Sequence, residues 1–223
     1  MPASDGVRLM PKANASVELA LADLRNGIKK GHYAPGQHLN TAKLAACLRM
    51  SQAPIREALH LLVGEGIVEL HPNRGMRVRT LSAPSIVGAL QVLEAIGALA
   101  LRLIAPKLQD AEARAAIETA YRNIFAACVH PRGHALLEAI TGSHRLIGDY
   151  CGNPFLAPVL NRIHLDYFYH RLADVLPDSF WDRHARNYRC TAELLIRGDG
   201  AGAERAWHQH IRWLIGSVAR HLQ

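Results

Sequence analysis

The chain has 223 residues, 49% hydrophobic and only 6% aromatic, with a formal net charge of +7. That length buries either one large core or two modest ones, and an Ala- and Leu-rich, aromatic-poor composition disfavours a β-sandwich. The basic balance suits a polyanionic partner, and it is uneven. Residues 1–80 hold 11 Lys/Arg against 6 Asp/Glu, whereas residues 81–223 hold 15 against 13.

Cys47, Cys128, Cys151 and Cys190 are widely spaced and make no C-x-x-C pair. This pattern speaks against a disulfide frame or a zinc knuckle and for reduced cytoplasmic thiols. The N-terminus lacks a basic-then-apolar signal pattern, so a cytoplasmic location is expected. Ile86 to Pro106 is the most apolar run, but Gln91, Glu94 and Arg102 interrupt it at helical spacing. A buried helix is expected there in place of a membrane span.

In chain order, residues 1–15 are polar and Pro-containing and read as a tail. Val17, Leu21, Leu24 and Ile28 recur at three- or four-residue steps, which predicts an amphipathic helix ending at Gly31. Leu39, Leu44, Ala45 and Leu48 describe a short second helix, with Asn40 or Thr41 available as its cap. Arg49-Met50 makes a tight connection, and Ser51 is placed as the N-cap of a third helix with Pro54 in its first turn. Ile55, Leu59 and Leu62 face inward, leaving Gln52, Ala53, Arg56 and His60 outside. Two short alternating runs, Ile67–Leu70 and Met76–Arg79, form a hairpin whose apex is Arg74-Gly75.

This arrangement reads as a winged helix-turn-helix over residues 16–80. A helix fits the major groove, its first residues reach base edges, and cationic side chains hold phosphates. The DNA-contacting set is then Ser51, Gln52, Ala53, Arg56 and His60 on the third helix, with Arg74, Gly75 and Arg77 or Arg79 on the wing. Gln52 suits adenine, and Arg56 suits guanine or a phosphate.

The residues Leu24-Arg25, Pro35-Gly36, Leu44-Ala45, Pro54-Ile55-Arg56-Glu57-Ala58-Leu59, Glu65-Gly66 and Asn73-Arg74-Gly75 resemble the head of the GntR family of bacterial transcription regulators. Two positions depart from the family pattern. Gln52 and Ala42 stand where basic residues are usual, which bears on the operator sequence and not on the fold.

From Ser82-Ala83-Pro84 onward only helical periods occur, near 84–105, 110–128, 132–151, 154–174, 179–197 and 200–221. They predict an all-α bundle of about six helices over 81–223, with a central cavity as its functional site. The fold class is thus mainly α. His144, Gly152-Asn153-Pro154-Phe155-Leu156, Leu195-Ile196-Arg197-Gly198-Asp199 and Ala206-Trp207-His208-Gln209-His210 make this part similar to the FCD effector domain of the FadR subgroup. The resemblance implies a homodimer and a small carboxylate effector beside a zinc or nickel ion.

Its ligand set transfers only in part. His144 and His210 match metal positions, but the Asp position falls on Ile140 and the middle His position on Tyr188. His184, one turn before Tyr188, or His164 could substitute. Two imidazoles fall short of a closed site, so a metal-free pocket is the reading adopted, with a divalent transition metal as the alternative. His144, Tyr188 and His210 are the expected effector contacts, with Arg102 and Arg145 as anion partners. Tyr167-Phe168-Tyr169 is a candidate surface contact.

The leading function is therefore a repressor, not an enzyme, that leaves a double-stranded operator when a metabolite binds. The competing readings are an effector-blind architectural protein and a metal-dependent enzyme at His144 and His210. Nothing beside those two histidines supplies a convincing base or nucleophile for the last.

Overall fold

The structure, a computed structural model, describes residues 12–72, 74–80, 82–128, 134–163, 172 and 176–222. The chain divides into two compact units, residues 1–80 and 81–223. His164 and the run 167–169 lie outside the described residues.

In the first unit, helix α1 (Lys12–Lys29) packs on α3 (Gln52–Gly64), with α2 (Thr41–Leu48) against the same helix. Helix α1 takes in the last four residues, 12–15, of the stretch expected to be tail. Val17, Ala20, Leu24 and Ile28 bury against Ile55, Ala58, Leu59 and Leu62, the apolar faces set by 3.6-residue spacing. Asn40 caps α2, its side chain accepting from the Lys43 N–H at 3.0 Å. Arg49 ends that helix in the left-handed conformation, φ 53°.

Strands β2 (Val68–His71) and β3 (Gly75–Val78) form the expected hairpin, pairing Val68 with Val78 and His71 with Gly75. A third strand, β1 (His38–Leu39), joins the free edge of β3 and pairs His38 with Arg77. Two residues carry no period-2 pattern, so β1 has no signature in the sequence. Arg25 and Glu65, 40 positions apart, clamp α1 to the end of α3 through a fork-to-carboxylate pair that includes Arg25 Nε to Glu65 Oε2 at 3.3 Å.

The second unit is helical among the described residues. It comprises α4 (Ala83–Ile104), a 3-10 turn (Ala105–Gln109), α5 (Ala111–Ala127), α6 (His134–Tyr150), α7 (Leu156–Arg162), α8 (Asp178–Ile196) and α9 (Gly200–His221). Ser82, Asp110 and Asp199 cap α4, α5 and α9 through side-chain oxygens. Helix α9 packs along both α4 and α8, and α5 along α6. Helix α4 is long and apolar enough to cross a membrane. Its Ile86, Leu90, Leu93, Leu101 and Ile104 belong instead to the bundle core. Beyond α7, the helix expected to run to 174 falls largely outside the described residues.

Candidate DNA-reading surface and effector cavity

Helix α3 divides its residues cleanly. Ile55, Ala58, Leu59 and Leu62 are buried, while Ser51, Gln52, Ala53, Arg56 and His60 are exposed. Gln52, Arg56 and His60 follow at steps of four, so they form one ridge facing away from the core. Ser51 occupies the N-cap position in an extended conformation but makes no side-chain cap bond. The reason is partly Pro54. A capping oxygen accepts from the second or third helical N–H, and proline at the third position has none. The Ser51 hydroxyl is left facing outward at the positive end of the helix, where a phosphate oxygen suits it.

On the wing, Arg74 and Gly75 are exposed at the tip. Gly75 has φ +74°, and a β-carbon there would stand 2.8 Å from His38 Nε2, so the position requires glycine. Arg77 sits on the central strand, half-buried, with Nε buried and unpartnered. Arg79 is exposed, 3.5 Å from Glu69.

In the second unit the structure brings together His144, Tyr188, His210 and His184, from three helices. Tyr188 Oη lies 3.1 Å from His144 Nε2, and His210 Nε2 lies 3.0 Å from His184 Nδ1. The Tyr188 and His210 rings meet edge to face at 4.8 Å. Burial lowers all three histidines: His144 to about 4, His184 to about 3 with His144 adding to the effect, and His210 well below its usual value. The imidazoles are neutral at physiological pH.

His144 and Tyr188 line a cavity together with Gly97, Ala100 and Leu101 of α4, Tyr121, Ser143, Ile147, Leu160, Thr191 and Trp207. It leaves about 20 Å³ for the centre of a water-sized molecule, room for roughly one water. Ser143 and Thr191 carry no signal in the sequence beyond helical spacing, one residue before His144 and three after Tyr188.

Arg102 and Arg145 are not part of this site. Both are exposed, and Arg102 pairs with Glu204 at 3.5 Å. Among the described residues no Arg or Lys lines the cavity, so the carboxylate expectation finds no cation there. His210 and His184 lie behind Tyr188 and are not in the lining.

The residues present do not fit the implied zinc or nickel. An ion needs three or four lone pairs converging at about 2 Å. Ile140, at the Asp position, is a buried core residue, and the described residues include no group of three or more His, Cys, Asp or Glu placed to hold an ion. His144 Nε2 is engaged by Tyr188 and His210 Nε2 by His184, while the unpartnered nitrogens, His144 Nδ1 and His210 Nδ1, belong to two residues alone, short of a closed site.

Comparison with known proteins agrees with both halves of this description. The family model described as bacterial regulatory proteins, gntR family, matches residues 17–78, and the FCD domain model matches residues 89–212. The chain is 33% identical over 81 residues to the Nta operon transcriptional regulator of Aminobacter aminovorans, a match spanning 36% of this chain and 39% of that protein. It is 28% identical over 201 residues to the probable D-xylose utilization operon transcriptional repressor of Paenarthrobacter nicotinovorans, 86% of this chain and 84% of that one. In fold it is similar to E. coli McbR/YncC, with a TM-score of 0.77 and 18% identity over 93% of this chain and 99% of that one. The chain belongs to the gntR family of bacterial regulatory proteins, as a DNA-binding transcription regulator whose C-terminal part is an FCD effector domain.

Proposed function

We propose that this regulator is a cytoplasmic repressor that binds a pseudo-palindromic operator as a homodimer and leaves it when a small molecule occupies the C-terminal cavity. The observation that carries the reading is the exposed ridge Gln52–Arg56–His60 on a helix whose other face is fully buried. A basic unit with such a ridge presents base-reading groups and phosphate-binding groups together. Release follows from a population shift, in which the bound effector favours a spacing of the two heads that misses the half-sites.

The test is selection from random duplexes, followed by binding to the selected site with and without candidate metabolites. A protein that ignores duplex DNA of every sequence at low salt defeats the proposal. The small free volume of the cavity favours a second reading, in which the pocket is closed and the regulator does not respond to an effector. A thermal-shift panel separates the two, since stabilisation by any metabolite contradicts the closed pocket.

A further inference from the structure

The cavity wall is mostly carbon: Ala100, Leu101, Ile147, Leu160 and the rings of Tyr121 and Trp207. Its polar groups are almost all engaged. Ser143 donates to the Ile140 carbonyl at 2.8 Å and Thr191 to the Asn187 carbonyl at 3.2 Å. Tyr188 and His144 Nε2 hold each other. Among the buried side-chain N and O atoms of the described lining, the one without a hydrogen-bond partner is His144 Nδ1, in a residue 8% exposed.

Acidity favours one tautomer: a phenol is a better donor than a neutral imidazole N–H, which assigns Tyr188 as the donor to Nε2 and the ring proton to Nδ1. A buried N–H without an acceptor is unfavourable until something supplies one. The imidazole is neutral, and no charged side chain lines the cavity among the described residues. A carboxylate entering this wall loses its hydration and finds no opposite charge among the described residues.

We propose that the cavity takes a small, uncharged, mainly apolar molecule bearing one hydrogen-bond acceptor, which His144 Nδ1–H recognises directly with no metal ion between them. This rests on the reading of the bundle as an effector domain. The space holds about one water, so a ligand as large as a single ring must spread the wall as it enters.

Three single-ring probes of matched shape test the idea by calorimetric titration of full-length, untagged protein dialysed against chelator. Acetophenone has an uncharged acceptor, benzoate is its anionic counterpart, and α-methylstyrene lacks the oxygen. Acetophenone is expected to bind about tenfold more tightly than either of the others, and zinc chloride is expected not to bind stoichiometrically. In His144→Phe the preference for acetophenone over α-methylstyrene should vanish. If that variant does not fold, the three probes on the native protein still decide.

Benzoate binding as well as acetophenone, no preference over α-methylstyrene, stoichiometric zinc, or no binding by any probe each overturns the proposal. Duplex binding at low salt is measured on the same preparation. If it persists while the probe result is negative, only the ligand class fails. If it is absent, the regulator reading fails as well.

Discussion

Trp207 occupies a notch that exists because position 97 is glycine. A β-carbon at Gly97 would stand 2.4 Å from the indole, and the indole N–H donates to the Glu94 carbonyl, one turn earlier on α4, at 3.1 Å. The ring thus fixes α9 against α4 and forms one wall of the cavity. Gly97→Ala is expected to destabilise the protein by about 1–3 kcal/mol, the usual result of overpacking a filled site. Chemical denaturation reads this directly; unchanged stability would mean that the indole shifts freely, and with it the wall.

Arg56 is exposed on α3, so Arg56→Ala should leave the unfolding free energy within about 0.5 kcal/mol of the parent. Operator affinity should fall by about 1–3 kcal/mol if the guanidinium meets a base edge. Fluorescence anisotropy on the selected site measures the loss, and wild-type affinity would remove Arg56 from the reading ridge. Gln52→Arg should instead change which sequences are selected, because glutamine and arginine suit different bases.

Salt separates phosphate contacts from base contacts. The cations at Arg56, Arg74 and Arg79 are exposed on the first unit, and each phosphate they neutralise releases counterions. In a homodimer the log–log slope is roughly −5 if Arg56 holds a phosphate (three contacts per head) and roughly −4 if it reads a base (two), from about −0.9 for each contact. A slope near zero would show that the head does not grip the backbone. Arg74→Ala should make it shallower by about 2, one contact per protomer.

The buried histidines predict a pH dependence of stability. In the unfolded chain an imidazole titrates near 6.5. Burial holds His144 at about 4 and His184 at about 3, and lowers His210 well below its usual value. Between these limits the unfolded state binds more protons, so stability is full above about pH 7 and falls as the pH drops from 6.5 toward 4. At about pH 5 the loss is on the order of 2 kcal/mol for each imidazole that stays neutral. Scanning calorimetry from about pH 7.5 to 5 should show a steady fall in Tm, with a flatter curve for His184→Phe. A level profile in the parent would mean that these rings are not buried and neutral together.

The sequence by itself determined whatever depends on neighbours along the chain. The apolar face of α3, the Asn40 cap and the hairpin apex at Arg74-Gly75 all follow from spacings of a few residues, because helical and strand periods fix which side chains share a face. The same local logic placed Gln52, Arg56 and His60 on one exposed ridge.

Only the tertiary structure decided contacts between distant segments. It added His38–Leu39 to the sheet, closed Arg25 on Glu65 across 40 positions, and set His184 against His210 at 26. It also left Arg102 and Arg145 in solvent and buried Ile140 in the bundle core. Spacing within one helix cannot say which turn of another helix it will meet. That choice is made by how side-chain volumes interlock, as Trp207 does over Gly97, and it determines which polar atoms face a cavity and which are consumed by a neighbour.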